Sequence, residues 1–275
     1  MGQTIACANQ KGGVGKTTTV VNLASYLALR GDRVLVIDLD PQGNGTSGFG
    51  VDRSTVQRSI YEGMVDGVAL EQLVIQRTDE GVDLVPSTIA LAGAELELAG
   101  VTARERRLRR LVQPVADRYD VVFIDCPPSL GLLTVNALTA ADAVLVPLQC
   151  EYYALEGLTQ LLATIALVRD NLNARLQLNG VVLTMYDART NLSADVAAEA
   201  RRHLGASVYG AVIPRSVRLS EAPSHGLPIT RYAPESRGAA AYAELASEFA
   251  ARGRGEHMPV GSGQVETREA TMVMS

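Results

Sequence analysis

Lysine is almost absent from this chain of 275 residues. Only Lys11 and Lys16 occur, and arginine fills every other basic position. Both lysines fall in one stretch, Asn9 to Thr18, which reads N-Q-K-G-G-V-G-K-T-T. An ammonium is a compact point charge and a guanidinium is a broad planar fork, so this loop calls for the former. Gly12, Gly13 and Gly15, with Val14 among them, form a turn whose backbone N–H groups can converge on one anionic point. A Cβ at the glycines would obstruct that approach and forbid the dihedrals of the turn. An apolar run, Thr4 to Ala8, precedes the loop, and a helical pattern starts near Lys16. The turn therefore sits at the positive end of a helix dipole. Strand, glycine turn and helix N-terminus together make a phosphate cradle. Lys16 reaches terminal phosphates, the Thr17 hydroxyl ligates Mg²⁺, and Thr18 completes the turn.

Three carboxylates are placed to complete such a site. Arg33 to Asp38 is a near-continuous apolar strand, followed by Leu39, Asp40 and Pro41. Asp120 to Asp125 is a second such strand, broken by Cys126-Pro127-Pro128. Open α/β sheets bind ligands at the C-terminal ends of their strands, where these acids lie. Asp38 and Asp125 are expected to hold Mg²⁺ through water, and Asp40 to orient a water in line with a terminal phosphate. The general phosphate-loop pattern wants glycine at position 10, where this chain has Gln10. The dinucleotide pattern fails as well, because Thr18 stands where its third glycine belongs. A mononucleotide fits better.

K-G-G-V-G-K-T-T resembles the deviant Walker A motif of the ParA/MinD family of P-loop ATPases. In that family the early lysine, here Lys11, is a signature lysine that reaches the partner subunit's nucleotide across a dimer interface. Lys16 is then the ordinary Walker lysine. Asp38-Leu-Asp-Pro-Gln42 resembles the family's switch I, with Asp40 needed for hydrolysis. Asp125-Cys-Pro-Pro128 resembles its switch II. Glu151-Tyr-Tyr-Ala-Leu-Glu-Gly157 matches a family segment. Pro214-Arg-Ser-Val-Arg-Leu-Ser-Glu-Ala-Pro223 is similar to a stretch of the chromosomal ParA (Soj) group whose P-R-N loop packs on adenine. That places Pro214 and Ser216 at the base, with Ser216 replacing the group's asparagine. The resemblance spans residues 3 to about 250. It implies a slow, partner-stimulated ATPase with ATP and Mg²⁺ as cofactors, a homodimer around ATP, and nonspecific double-stranded DNA as ligand. A ParB/Spo0J-type centromere-binding protein is the implied partner. The expected location is cytoplasmic and nucleoid-associated. The group's DNA-contacting arginines correspond to Arg189 and Arg218, with Arg215 between them. Phosphate contact suffices for such binding.

The elements that must position these residues follow from hydrophobic patterning. Val20, Leu23, Ala24 and Leu27 carry helical spacing after the loop, and Gly31 is a stop signal. Further strands are expected over Val82 to Pro86, Asp142 to Pro147, Leu178 to Met185 and Val208 to Ile213. Helices are expected over Ile89 to Leu98, Thr102 to Tyr119, Leu155 to Leu172 and Ala239 to Ala251. This alternation predicts an α/β fold with a single doubly wound, mostly parallel sheet flanked by helices, the P-loop NTPase fold. Residues 1–252 form the expected ATPase domain, and residues 253–275 a polar, disordered tail. The chain is 47% hydrophobic, enough for one large core. Its net charge of −5 excludes a strongly basic nucleic-acid binder, so any DNA contact must come from a local patch. Between Val181 and Ala240, seven arginines face five acids, and Arg231 and Arg237 lie there too. The arginines from Arg104 to Arg110 read as a solvated helix face.

Three other readings fit the sequence less well. A MinD-like membrane switch needs a basic amphipathic C-terminal helix, and the tail lacks that spacing. A nitrogenase-reductase-like enzyme needs two cysteines placed for a bridging cluster. Cys7, Cys126 and Cys150 are widely spaced in apolar runs and read as buried thiols. A plasmid-type ParA carries an N-terminal helix-turn-helix, for which no segment precedes the loop. No leader or transmembrane run is expected.

Overall fold

The apolar runs that end in carboxylates become neighbouring strands at the middle of the molecule. The computed structural model describes residues 2–75, 78–152 and 154–253. In chain order the elements begin β1 (Gln3–Cys7), α1 (Lys16–Leu29), β2 (Val34–Asp38), α2 (Asn44–Gly48), α3 (Ile60–Met64), β3 (Asp83–Val85) and α4 (Leu91–Glu97). Then come α5 (Arg107–Val112), β4 (Val121–Asp125), α6 (Leu132–Ala140), β5 (Ala143–Gln149) and α7 (Ala154–Asn171). The chain ends with β6 (Gln177–Tyr186), α8 (Asn191–Leu204), β7 (Val208–Pro214), α9 (Val217–Glu221), α10 (Ile229–Tyr232) and α11 (Arg237–Gly253). Residues 254–275, the bulk of the expected tail, lie outside the described residues.

The seven strands form one sheet in the order β3-β2-β4-β1-β5-β6-β7. Every pair among them is parallel, so the sheet is more uniform than the sequence pattern required. Parallel strands need long crossovers, which lay helices on both faces and bury both. β2, β4 and β5 are buried at every residue, which is why they read as continuous apolar runs.

Two cores result. Ile5, Val36 and Phe123 point to one face, against Val20, Leu23 and Leu27 of α1 and Tyr242, Leu245 and Phe249 of α11. Ala6, Ile37 and Ile124 point to the other, against Leu133 of α6 and Leu161 and Ile165 of α7. Each fully buried leucine or valine contributes about 1.5–3 kcal/mol. Period-two alternation then decides the chemistry. Asp38 has the parity of Val36, and Asp125 that of Phe123, so both carboxylates are directed to the α1 face.

One expected element is not continuous. The helix predicted over Thr102 to Tyr119 breaks into short 3₁₀ turns around α5. Pro114 lacks an N–H, and its ring collides with the preceding turn of any helix that tries to continue. The arginines there are partly structural, since Arg107 donates to the Val65 carbonyl at 3.2 Å.

Candidate functional site

Two side-chain hydrogen bonds tie the loop from Ala8 to Gly15 to the sheet, and a third braces it internally. Asn9 Nδ2 donates to the Pro147 carbonyl at 2.7 Å, and Asn9 Oδ1 accepts from the Lys11 amide at 3.0 Å. The Thr184 hydroxyl donates to the Val14 carbonyl at 2.8 Å. β5 and β6 thus hold the turn from below. Gly13 and Gly15 have φ of 73° and 89°, the left-handed region where a side chain is strained. Gln10 has no positive φ, so the departure from the general pattern puts no strain on the turn.

The loop ends at α1 and borders a cavity of about 380 Å³. Gly12, Gly13, Gly15, Lys16, Thr17 and Thr18 line one side, and Asp40 lines it too. Val14 is buried beneath the turn. The two lysines occupy different surroundings. Lys16 is buried, and its Nζ donates to the Lys11 carbonyl at 3.2 Å across the loop. Lys11 points out of the loop, its side chain 43% exposed, and its Nζ pairs with Glu151 Oε2 at 2.7 Å. Glu151 also lies 3.8 Å from Arg215.

Asp38 and Asp125 are register partners on adjacent strands. Both are fully buried. Burial pushes the Asp38 carboxyl up to about 6, against the opposing pull of hydrogen bonds from Thr46 and from the Asp40 amide. Asp125 is raised well above the ordinary range, by burial first and by the charge of Asp38 second. Neither oxygen of Asp125 meets a donor at hydrogen-bond geometry, although Thr17 and Lys16 lie close enough to favour its charge. A buried carboxylate without a partner beside a second carboxylate is costly unless a cation joins it. The residues present therefore fit a hard divalent cation with oxygen ligands, with Asp125 and the Thr17 hydroxyl on either side and Asp38 adjoining.

A stability test follows. Asp125→Asn is expected to melt at a higher temperature than wild type when no nucleotide or metal is added, because it removes one of two buried like charges. Each kcal/mol gained shifts the midpoint by about 2–4 °C for a chain of this size. Mg²⁺ with ADP should stabilise wild type more than the variant. Calorimetry with and without Mg·ADP reads both effects, and a variant that melts lower would refute the repulsion.

Asp40 is buried at the cavity wall, where its Oδ1 accepts from the Gln42 amide at 2.9 Å. The far end of the cavity is formed by Met185, Leu219, Ala222, Pro223 and Leu227. Pro214 and Ser216 do not line it; they border a neighbouring groove with Arg189, Arg215 and Arg218. Arg237 lies on the same groove, whereas Arg231 is drawn away to Asp79 and Glu80. Each arginine of the expected DNA-contacting trio has an acidic neighbour: Asp187 for Arg189, Glu151 for Arg215 and Glu221 for Arg218. All three remain exposed, Arg189 at 85% of its side chain.

Comparison with known proteins separates a family from a fold. A family model described as an AAA domain matches residues 2–178. The sporulation initiation inhibitor protein Soj of Bacillus subtilis is 56% identical over 253 residues, covering 92% of this chain and all of that protein. The chromosome partitioning protein ParA of Caulobacter vibrioides is 50% identical over 252 residues, covering 91% of this chain and 94% of its own. The chain belongs to the ParA/Soj family. The fold is shared with a solved structure described as cobyrinic acid a,c-diamide synthase of Mycobacterium smegmatis with bound ADP and magnesium. That structure is 41% identical, with a TM-score of 0.82 over 94% of this chain and 98% of its own.

Within the ParA/Soj frame, several residues escaped sequence reasoning. Thr46 and Thr184 carry no motif of their own, Asn9 was read only as the start of the lysine loop, and Glu151 only as part of a matching segment. Cys7, Cys126 and Cys150 are all buried and free. Burial is the first cause that raises each thiol, Cys150 to about 11, so none presents a thiolate.

Proposed function

We propose that this protein is a chromosome-partitioning ATPase that closes as a homodimer around ATP and Mg²⁺. In that state it holds double-stranded DNA nonspecifically, and hydrolysis stimulated by a ParB/Spo0J-type partner releases it. The observation that carries the reading is the division of labour between the lysines. Lys16 is buried in its own loop, while Lys11 stands on the rim with only a carboxylate for company. A lysine so placed is available to a second copy of the chain. The nucleotide-bound relative supports ATP and Mg²⁺ as the ligands.

The protein's own part in hydrolysis is positioning. Loop amides, Lys16, Thr17 and Thr18 orient the phosphates. Asp125 and Asp38, beside Thr17, would hold Mg²⁺, which when bound would neutralise developing phosphate charge. Asp40, fixed by the Gln42 amide, accepts a hydrogen bond from the attacking water. A carboxylate that only positions water is a weak base, which suits a slow basal rate that a partner can raise. Met185 and Leu219 line the same cavity and would receive the base, whereas Pro214 and Ser216 border the adjoining groove. The groove arginines Arg189, Arg215 and Arg218 contact DNA phosphates and carry no sequence readout. The proposed location is cytoplasmic, on the nucleoid. Among the described residues no helix is long and apolar enough to cross a membrane.

The test is DNA retention with ATP against ADP at several salt concentrations. Retention is expected only with ATP, with log affinity falling linearly in log salt. Arg189→Ala with Arg218→Ala should lower the slope by roughly one to two and weaken binding to all sequences alike. Equal retention with ADP would refute the nucleotide switch. ATP-dependent sedimentation with liposomes would favour the membrane reading instead.

A further inference from the structure

We infer that Thr46 is a positioning residue for this site, fixing Asp38 and the switch I helix α2 in the arrangement that hydrolysis requires. The inference rests on the ATPase reading above.

Thr46 is wholly buried and lies eight residues beyond Asp38, across the turn at Gly43. Its amide donates to Asp38 Oδ2 at 2.7 Å, and its hydroxyl donates to the same oxygen at 2.8 Å. That hydroxyl in turn accepts from the Ser87 amide at 2.9 Å. One O–H therefore serves as both donor and acceptor in a chain from Ser87 through Thr46 to Asp38. Hydrogen bonds to an ionised acceptor are short and strong, and a linked pair polarises each other. The chain extends beyond the cavity. Ser87 follows β3, the Ile60 amide donates to the Pro86 carbonyl at 2.9 Å, and the Ser59 and Thr88 hydroxyls lie 3.4 Å apart. Asp38 is thereby locked to the edge of the sheet and to the start of α3.

Gly45 supplies an independent observation. A Cβ on Gly45 would meet Asp38 Oδ2 at 3.0 Å and Asp125 Oδ2 at 3.4 Å. Helix α2 thus rests directly on both carboxylates, and Thr46, the next residue, clamps it there. The other Asp38 oxygen accepts from the Asp40 amide at 3.2 Å. A shift of Thr46 would therefore move Asp38 and, through that amide, the backbone that carries Asp40. Among the described residues neither Thr46 nor Ser87 hydrogen-bonds to the phosphate loop, so loss of the Thr46 hydroxyl should spare nucleotide affinity and impair turnover.

The test compares Thr46→Val, which keeps the shape and deletes the hydroxyl, with Thr46→Ser, which restores it. The full chain is used below the melting temperature of each variant. Thr46→Val is expected to lower kcat for ATP about 10- to 100-fold, with KM within about threefold of wild type. ADP affinity in EDTA should not change, and the enhancement of ADP affinity by Mg²⁺ should shrink. Amide hydrogen exchange at Ser87 should accelerate, because that N–H loses its acceptor. Thr46→Ser should recover all three properties. Wild-type kcat in Thr46→Val, or a Thr46→Ser variant as impaired as Thr46→Val, would overturn the assignment. If the wild-type chain hydrolyses no ATP, the ATPase reading fails by itself. Ser87 exchange and the Mg²⁺ enhancement then still decide: both unchanged in Thr46→Val would overturn the positioning role, and both altered would sustain it.

Discussion

Lys11→Ala is expected to abolish ATP-dependent dimerisation while the protomer continues to bind ADP. Lys16, buried inside the loop with its Nζ on the Lys11 carbonyl, is the lysine proposed to serve its own subunit's nucleotide, and the change leaves that carbonyl in place. Lys11 contributes nothing to loop closure through its side chain, whose Nζ is engaged by Glu151 on the rim. In a symmetric dimer every contact occurs twice. Truncating one member of a desolvated charge pair costs about 2–5 kcal/mol, so losing two weakens the dimer by roughly three orders of magnitude or more. Lys11→Arg is not expected to rescue it, since a planar fork does not replace a point charge in a tight turn. DNA retention should disappear with the dimer. Sedimentation analysis with a non-hydrolysable ATP analogue measures the first effect, and dimerisation at the wild-type level would remove the role across the interface.

Asp40→Ala should have the opposite phenotype, a dimer that forms and stays on DNA. Positioned proton acceptors contribute about 10²- to 10⁴-fold to turnover, and the variant is expected to lose that much. Asp40 shares the cavity wall with the phosphate loop but is bonded through its side chain to the Gln42 amide, so binding of ATP itself should persist. Release of DNA after dilution of free ATP is the measurement. Ordinary turnover in the variant would mean that another residue orients the water. Lys11→Ala and Asp40→Ala thus block the cycle at opposite ends, and the double variant should behave as Lys11→Ala alone.

Much of this site can be read from the chain because its parts obey local rules. A glycine turn between a strand and a helix, and apolar runs that stop at Asp38 and Asp125, each announce themselves within ten residues. The central strands were legible for the same reason, since burial on both faces leaves an unbroken apolar run. What stayed hidden depends on distance along the chain. Glu151 meets Lys11 across 140 positions, and no periodicity encodes that contact. Thr46 meets Asp38 only because Gly43 and Gly45 let α2 fold back onto the strand. Helix α8 has a readable start in Thr190, whose side chain accepts from the Ser193 amide, yet it is not among the helices expected from the patterning. Pro114 was visible throughout and should have divided the helix expected over Thr102 to Tyr119. The resemblance to P-R-N loops directed attention to Pro214 and Ser216, whereas the cavity wall falls on the residues just after them.

Cys7, Asp125 and Asp38 occupy one rung across β1, β4 and β2. A rung of a pleated sheet has no intermediate settings, because sliding a strand by one residue turns its side chains to the opposite face. Strand pairing thus sets the level at which Asp38 and Asp125 stand, and the segment after β2, through Thr46, fixes the Asp38 carboxylate there. Evolutionary drift can repaint the grooves and rims of this molecule freely, but it cannot slide either acid to the next rung without unmaking the ladder that carries them.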